Sequence, residues 1–207
     1  MKEIILIRHA ESAANVDTNE HARLPDNEIL LTVQGIKQAD SLKLYTATNK
    51  KVTIYSSPYK RAYDTAKLSV PYGSNIILEP LLCERKVKWN FDREYYDKLI
   101  SNWKEKGSFW WKGFDHEFES GADVYQRACI FLNKITIKHF LKPIDETVYI
   151  YTHGFFMRMM YFALNENIYD NFNDHYDNPQ NTEQWVYVSD EGTSWKFNKS
   201  IIGLTSN

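Results

Sequence analysis

Four short apolar runs alternate along this chain with segments that repeat apolar residues at helical spacing, and this alternation constrains the fold more than any other feature. The runs cover residues 3–8, 51–57, 74–80 and 146–153. Runs of this length and composition are typical of buried strands. Strands that alternate with helices along a chain favour a mostly parallel sheet with helices on both faces. We therefore predict an α/β fold with a three-layer α/β/α arrangement.

The segments between and after these runs have the apolar spacing of amphipathic or buried helices. They cover residues 31–46, 59–70, 120–141 and 154–165. Thr32 is a candidate N-cap of the first helix, because a hydroxyl oxygen can accept a hydrogen bond from the free N–H groups of a first turn. Either Ser120 or Glu119 is expected at the start of the third helix. Pro58 is predicted to open the second helix, since proline fits the first helical turn. Gly35 is expected to weaken the first helix slightly.

Two further segments complete the single domain that we predict over residues 1–207. Residues 85–118 are rich in aromatic and charged residues and predict an insertion packed over another surface. Residues 183–200 predict a hairpin, because Asp-Glu-Gly at the centre is typical of a turn. The aromatic residues of the insertion either roof a substrate pocket or fill a small secondary core. These residues are Trp89, Phe91, Tyr95, Tyr96, Phe109, Trp110 and Trp111.

Charge and cysteine usage argue against several kinds of partner. The formal net charge is -2, which gives no electrostatic reason to bind nucleic acid or an anionic membrane. Cys83 and Cys129 have no zinc-ligand spacing and fit a reducing compartment. The apolar run at residues 3–8 is too short for a membrane span or a signal sequence. We therefore expect a cytoplasmic protein; its oligomeric state stays open, with a homodimer as one option.

Polar residues stand where each predicted strand ends, and in a parallel sheet these ends meet at one edge, where ligands bind. The residues are Arg8, His9, Arg61, Glu84 and His153, and Gly154 follows the last of them at the start of a predicted helix. Arginine offers forked donors for phosphate oxygens, and a helix N-terminus offers free N–H groups. Histidine can be a nucleophile or a donor. The set predicts a phosphate pocket.

Five motifs resemble, in order and spacing, those of the histidine phosphatase superfamily, the phosphoglycerate mutase-like group. They are LIRHAESAAN, LTVQGIKQA, IYSSPYKRAYDTA, ESGADVYQR and YIYTHGFFMR. The resemblance implies a phosphoglycerate mutase-like fold, and it extends from residue 3 to about residue 165. The insertion and the ESGADVYQR motif after it look like a phosphatase branch of this superfamily.

The resemblance implies a chemical role for each strand-end residue. His9 would attack phosphorus and carry a covalent phosphohistidine. Glu84 would protonate the leaving oxygen and then activate water. Arg8, Arg61 and His153 would hold the phosphoryl oxygens and stabilise the charge of the transition state.

The implied site also includes two substrate-binding residues and is expected to hold no metal or other cofactor. Asn15 matches the family position whose side chain contacts phosphate, and Gly154 stands at the helix N-terminus beside the pocket. No metal or other cofactor is expected, because arginines and histidines carry the charge. The strand ends also lack an H-x-H motif or a carboxylate-rich cluster.

Each assignment has a structural alternative. His9 could simply bond a backbone carbonyl at a strand end, and Asn15 could be a turn residue. A surface position is the default for glutamate, and three others compete with Glu84: Glu79, Glu94 and Glu119. Arg23 and Arg85 could reach a second anionic group of a substrate, although a surface role is the simpler interpretation. No motif supports the remaining histidines, which are His21, His116, His139 and His175.

The predicted function is a metal-independent phosphomonoesterase that acts on a small phosphorylated substrate. A phosphoglycerate-type phosphomutase is an alternative, and a non-catalytic phospho-ligand or protein-binding module is an alternative of another class. The region after Glu84 lacks the Tyr-Gly and Leu-x-Gly pattern expected of glycolytic mutases, which favours the phosphatase. Ala10, where glycine is commoner, is the only departure in the first motif.

Overall fold

The computed structural model describes five stretches of the chain, residues 1–17, 19–42, 51–86, 119–165 and 179–201. The strands found there are β1 (Lys2–Arg8), β2 (Lys51–Ser56), β3 (Ile76–Leu78), β4 (Glu146–Thr152), β5 (Gln184–Ser189) and β6 (Lys196–Ile201). The α-helices are α1 (Ala13–Val16), α2 (Glu20–Arg23), α3 (Val33–Leu42), α4 (Lys60–Ser69), α5 (Gly121–Ile135) and α6 (Gly154–Asn165). Over these stretches, no helix is both long and apolar enough to cross a bilayer.

The strands form one sheet in the order β3-β2-β4-β1-β5-β6. The first four strands of this order are parallel to one another, whereas β5 is antiparallel to both β1 and β6. Leu78, Ser56, Tyr151 and Ile7 form one row across the parallel strands. The residues that follow this row therefore share one edge of the sheet. The predicted mostly parallel α/β fold and the hairpin over residues 183–200 are confirmed.

Helices cover both faces of the sheet, so neighbouring strand residues enter different cores. Leu6 and Ile150 pack with α5 and α6 on one face, while Ile7 and Tyr151 pack with α4 on the other. All four side chains are fully buried. Burial of each aliphatic side chain of this size contributes about 1.5–3 kcal/mol, and the two cores together hold the parallel strands in register.

The N-cap prediction for Thr32 and the predicted helix start at Ser120 are confirmed, but two predicted boundaries are wrong. The hydroxyl of Thr32 accepts from the N–H of Gly35 at 2.9 Å, and that of Ser120 accepts from the N–H of Asp123 at 3.1 Å. Pro58 does not open α4, because Tyr59 is the N-cap and the helix begins one residue later. The third strand covers only Ile76–Leu78, since a 3₁₀ turn over Pro80–Leu82 follows it.

The glycine in α3 has a tertiary role that helix propensity does not reveal. A Cβ atom on Gly35 would lie 1.9 Å from the carbonyl oxygen of Glu11, in the loop after β1. The same carbonyl accepts from the N–H of Thr32 at 3.0 Å, and the Glu11 carboxylate accepts from the Thr32 hydroxyl at 2.6 Å. Gly35 therefore lets α3 support this loop at close range.

The predicted insertion over residues 85–118 lies outside the described residues, apart from Arg85 and Lys86. The aromatic residues expected to roof the pocket lie in the same segment. Their placement over the sheet edge therefore stays a prediction, as does the extent of the single domain.

Candidate active site

The five strand-end residues predicted from the sequence lie together at the carboxyl edge of the parallel strands. His9 directly follows β1, and His153 directly follows β4, the neighbouring strand. Their imidazole rings have centroids 5.2 Å apart. The charges of Glu84 and Arg61 both act on the guanidinium of Arg8, so these three groups share the same region. Arg61 is the second residue of α4.

Hydrogen bonds fix the position of His9 and occupy only one of its two ring nitrogens. The backbone N–H of His9 donates to the Thr152 carbonyl at 2.9 Å, and the ring Nδ1 lies 2.7 Å from the Ala10 carbonyl oxygen. A carbonyl only accepts, so Nδ1 carries the hydrogen and Nε2 keeps its lone pair in the neutral ring. Burial lowers the pKa of His9 well below its usual range, and the charges of Arg61 and Arg8 lower it further. The ring is therefore neutral and able to act as a nucleophile at Nε2.

His153 is fully buried, and only one of its ring nitrogens has a partner in the described part of the chain. Its Nε2 lies 2.9 Å from the Ser57 hydroxyl, whereas Nδ1 has no hydrogen-bond partner there. Burial lowers the pKa of His153 well below its usual range, with Arg61 the next cause. Because a hydroxyl can donate or accept, Ser57 permits the tautomer in which Nδ1 carries the hydrogen. Nδ1 can then donate to an anion.

Arg8 is anchored by one nitrogen and keeps another without a partner. Its Nη1 donates to the carbonyl of Pro179, while its Nε is buried and has no hydrogen-bond partner among the described residues. Burial lowers the pKa of Arg8, and the negative charge of Glu84 opposes that shift. A buried guanidinium donor without a partner is a favourable place for a phosphate oxygen.

Arg61 is bound by Asp26, a residue that sequence reasoning missed. The carbonyl and carboxylate of Asp26 accept from Nη1 at 2.5 Å and from Nη2 at 3.2 Å. Only 4% of Arg61 is exposed, and its guanidinium lies 5.1 Å from the ring centroid of Tyr59. Burial alone would raise the pKa of Asp26, but the hydrogen bond from His21 and the charge of Arg61 outweigh it and lower that pKa. Asp26 is therefore an ionised partner that fixes the guanidinium.

Glu84 is held by two backbone N–H groups. Its Oε1 accepts from the N–H of Arg85 at 2.9 Å, and its Oε2 accepts from the N–H of Phe155, in the first turn of α6, at 3.2 Å. The guanidinium of Arg127 donates to the Cys83 carbonyl at 3.1 Å and so supports the segment that carries Glu84. The carboxylate thus lies at the same helix N-terminus as His153.

The competing glutamates have other partners. Glu79 caps its own 3₁₀ turn and pairs with Lys134. Glu119 forms two hydrogen bonds with Arg127, at 2.6 and 2.8 Å. Glu94 lies outside the described residues.

The chain matches a known family over most of its length. A family model described as the histidine phosphatase superfamily (branch 1) matches residues 4–198. The chain belongs to the histidine phosphatase superfamily. A relative from Hydrogenobacter thermophilus, phosphoserine phosphatase 1, is 32% identical over 176 residues, which are 79% of this chain and 76% of that protein.

The chain is also similar to a second relative in sequence and to a solved structure in fold. The phosphoglycerate mutase-like protein AT74H of Arabidopsis thaliana is 29% identical over 181 residues, which are 76% of this chain but 64% of that protein's length. A solved mycobacterial glucosyl-3-phosphoglycerate phosphatase in complex with inorganic phosphate superposes with a TM-score of 0.73 at 18% identity, covering 96% of each chain. That likeness confirms the histidine phosphatase fold.

Asn15 and Gly154, the two predicted substrate-binding residues, also lie at this edge. Gly154 is buried and is the first residue of α6. The Oδ1 atom of Asn15 accepts from the N–H and hydroxyl of Ser12 at 3.0 and 3.1 Å, and from Nδ2 of Asn181 at 3.1 Å. None of these hydrogen bonds uses Nδ2 of Asn15, and its contact with phosphate stays a prediction.

The other candidate cations lie in separate interactions. Arg23, in α2, forms ion pairs with Asp17 at 3.2 Å and with Glu20 at 2.6 Å. The Nε of Arg85 donates to the Glu119 carbonyl at 2.7 Å. Of the residues that the structure describes, no group of three or more His, Cys, Asp or Glu side chains is arranged to hold a metal ion.

Proposed function

We propose that this protein is a metal-independent phosphomonoesterase that acts on small phosphorylated compounds through a phosphohistidine on His9. The observation that carries the proposal is the hydrogen bond from His9 Nδ1 to the Ala10 carbonyl at 2.7 Å. It leaves the Nε2 lone pair at the sheet edge that Arg8 and Arg61 share. Because the pKa of His9 is lowered, this nucleophile is unprotonated at neutral pH.

In the first step, Nε2 of His9 attacks phosphorus, the N–P bond forms and the ester P–O bond breaks. Glu84, which takes up a proton from solvent before this step, gives it to the leaving oxygen, so that an alcohol departs. The ring of His9 becomes cationic and keeps its Nδ1 hydrogen on the Ala10 carbonyl. Arg8, Arg61 and His153 stabilise the charge on the phosphoryl oxygens.

In the second step, a water molecule attacks the phosphohistidine. Glu84, now a carboxylate, takes a proton from the water, the N–P bond breaks and inorganic phosphate leaves. His9 returns to its neutral form and Glu84 to its protonated form, so the cycle balances. Phosphoserine and glucosyl-3-phosphoglycerate, named for similar proteins, support small organic phosphates as the substrate class.

The test is hydrolysis of p-nitrophenyl phosphate in the presence of EDTA. We expect EDTA-resistant turnover that His9→Ala abolishes and Glu84→Gln lowers by about 10²–10⁴-fold, the usual size of general acid–base catalysis. Glu191→Gln is the matched control, because Glu191 is exposed on the β5–β6 turn and should retain activity. A panel with phosphoserine and glucosyl-3-phosphoglycerate would then follow.

Four results would contradict the proposal. Turnover that EDTA abolishes would contradict metal independence. Turnover that persists in a folded His9→Ala variant would exclude His9 as nucleophile. An inactive wild type that transfers phosphate between phosphoglycerates would establish the mutase instead, and one that only binds phosphate would establish a binding module.

A further inference from the structure

A short segment before β5 lies directly against the loop that carries His9. The N–H of Thr182 donates to the Arg8 carbonyl at 3.2 Å, and Nδ2 of Asn181 donates to the His9 carbonyl at 3.1 Å. Thr182 is 2% exposed and has a φ of 62°. A β-branched residue rarely adopts this conformation, and such strain persists where surrounding structure demands it. The segment is therefore held in place by its contacts with the nucleophile loop.

The amide orientation of Asn181 follows from its partners. The carbonyl of His9 only accepts, so the atom of the Asn181 amide that faces it is the nitrogen. The same nitrogen lies 3.1 Å from Oδ1 of Asn15. Its two hydrogens are thus both used, one on His9 and one on Asn15. Asn181 has no further donor on that nitrogen for a bound phosphate.

The amide orientation of Asn15 follows in turn. The N–H of Ser12 only donates and lies 3.0 Å from one atom of the Asn15 amide, so that atom is the oxygen. Asn181 donates to the same oxygen. Both neighbours therefore require the nitrogen of Asn15 to face the other way, and the described residues provide no partner for it.

We propose that Asn181 is a positioning residue that acts with Ser12 to hold the Asn15 amide so that its nitrogen, rather than its oxygen, faces the phosphoryl group that His9 would attack. This inference deepens the proposed function and rests on it for the identity of the anion. If the side-chain amide of Asn15 were rotated by 180°, its oxygen would take the place of the donor nitrogen and would repel phosphate. Asn181 acts through Asn15 and does not touch the substrate.

The experiment measures the affinity of the full chain for inorganic phosphate by calorimetry, together with KM and kcat for p-nitrophenyl phosphate. Asn181→Asp has nearly the same shape but no donor, and we expect it to weaken phosphate binding by about tenfold or more, the effect of losing one hydrogen bond to a charged group. KM should rise more than kcat falls. Asn181→Ala, which adds no charge, should weaken binding in the same direction, and Gln180→Ala, at an exposed neighbouring position, is the matched control.

A double-mutant cycle separates positioning from a general effect on folding. In the Asn15→Ala background, Asn181→Ala, which adds no charge, should change phosphate affinity less than about twofold, since no amide remains to be oriented. The inference would be overturned if Asn181→Asp bound phosphate as tightly as wild type, or if wild type did not bind phosphate. It would also be overturned if the effects of the Asn15 and Asn181 substitutions on phosphate affinity simply added in the cycle. Phosphate binding that obeys the cycle in a protein without hydrolytic activity would support Asn181 while the phosphatase proposal fails.

Discussion

Asp26 binds Arg61 through two different groups, its backbone carbonyl at 2.5 Å and its carboxylate at 3.2 Å. The two residues are 35 positions apart, and Asp26 lies in a 3₁₀ turn over Asp26–Glu28. The carboxylate neutralises a guanidinium that is otherwise buried, and the carbonyl fixes its orientation. Arg61 is therefore held in one orientation at the sheet edge, where its charge acts on Arg8, His9 and His153.

The first prediction concerns this pair. Asp26→Asn should lower kcat/KM for p-nitrophenyl phosphate by about tenfold, because one hydrogen bond to a charged group is worth about 1.5–3 kcal/mol and the carbonyl bond remains. Steady-state kinetics would measure the loss. Asp190→Asn, at an exposed position after β5, should have no effect. Unchanged kinetics in Asp26→Asn would show that the carbonyl alone positions Arg61.

The second prediction concerns Gly35 in α3. Helix propensity alone predicts that Gly35→Ala stabilises the protein by about 1 kcal/mol. The Cβ would lie 1.9 Å from the Glu11 carbonyl oxygen, so we expect a loss of about 1–3 kcal/mol in the free energy of unfolding. Urea denaturation would measure it, with Asp40→Ala on the exposed face of the same helix as control. A more stable Gly35→Ala variant would refute the close contact.

The third prediction is a loss of stability in mild acid. Burial lowers the folded-state pKa of both His9 and His153 well below their usual range, whereas an unfolded histidine has a pKa of about 6.5. Below that value the unfolded chain binds more protons, so the contribution to stability is fully present above about pH 6.5 and is lost as the pH falls toward the folded-state pKa.

Urea denaturation at pH 7.5 and 5.5 would measure this loss, which should total about 1.4 kcal/mol for each histidine, because only the pH unit below 6.5 contributes. His153→Gln should reduce the loss between the two pH values by that amount. A variant that loses as much stability as wild type between these pH values would show that His153 titrates alike in the folded and unfolded chains.

The fourth prediction concerns a buried network at the opposite edge of the sheet. Glu146, 1% exposed, lies 2.8 Å from Nδ1 of His139 and accepts from the Thr53 hydroxyl at 2.8 Å. Glu146→Gln should lower the free energy of unfolding by about 2 kcal/mol, the value of a hydrogen bond to a charged group. Activity per folded molecule should not change, because Glu146 and Thr53 lie toward the amino ends of β4 and β2, whereas the candidate site follows the carboxyl ends. A loss of kcat at full folding would indicate coupling between the two edges.

The sequence by itself predicted all six strands, the four helices α3 to α6 and the meeting of His9 with His153, although it misplaced two boundaries and gave no sign of α1 and α2. Apolar periodicity is a local property, and parallel strands bring the residues after their carboxyl ends to one edge. His9 directly follows β1 and His153 directly follows β4, and these two strands pair side by side. The proximity of the two histidines therefore follows from chain order and strand pairing. The insertion over residues 85–118 was predicted from its composition and stays a prediction, because residues 87–118 lie outside the described residues.

Only the tertiary structure identified the residues that hold these groups in place. Ser57 contacts His153 across 96 positions, and Asn181 contacts His9 across 172. Gly35 likewise looked like a weak point in a helix until the Glu11 carbonyl was found against it. A serine, an asparagine or a glycine in a loop or helix has many common local roles, so no periodicity or spacing distinguishes the one that meets the site. Which partner each residue contacts depends on how distant segments pack, and that is decided only when the whole chain has folded.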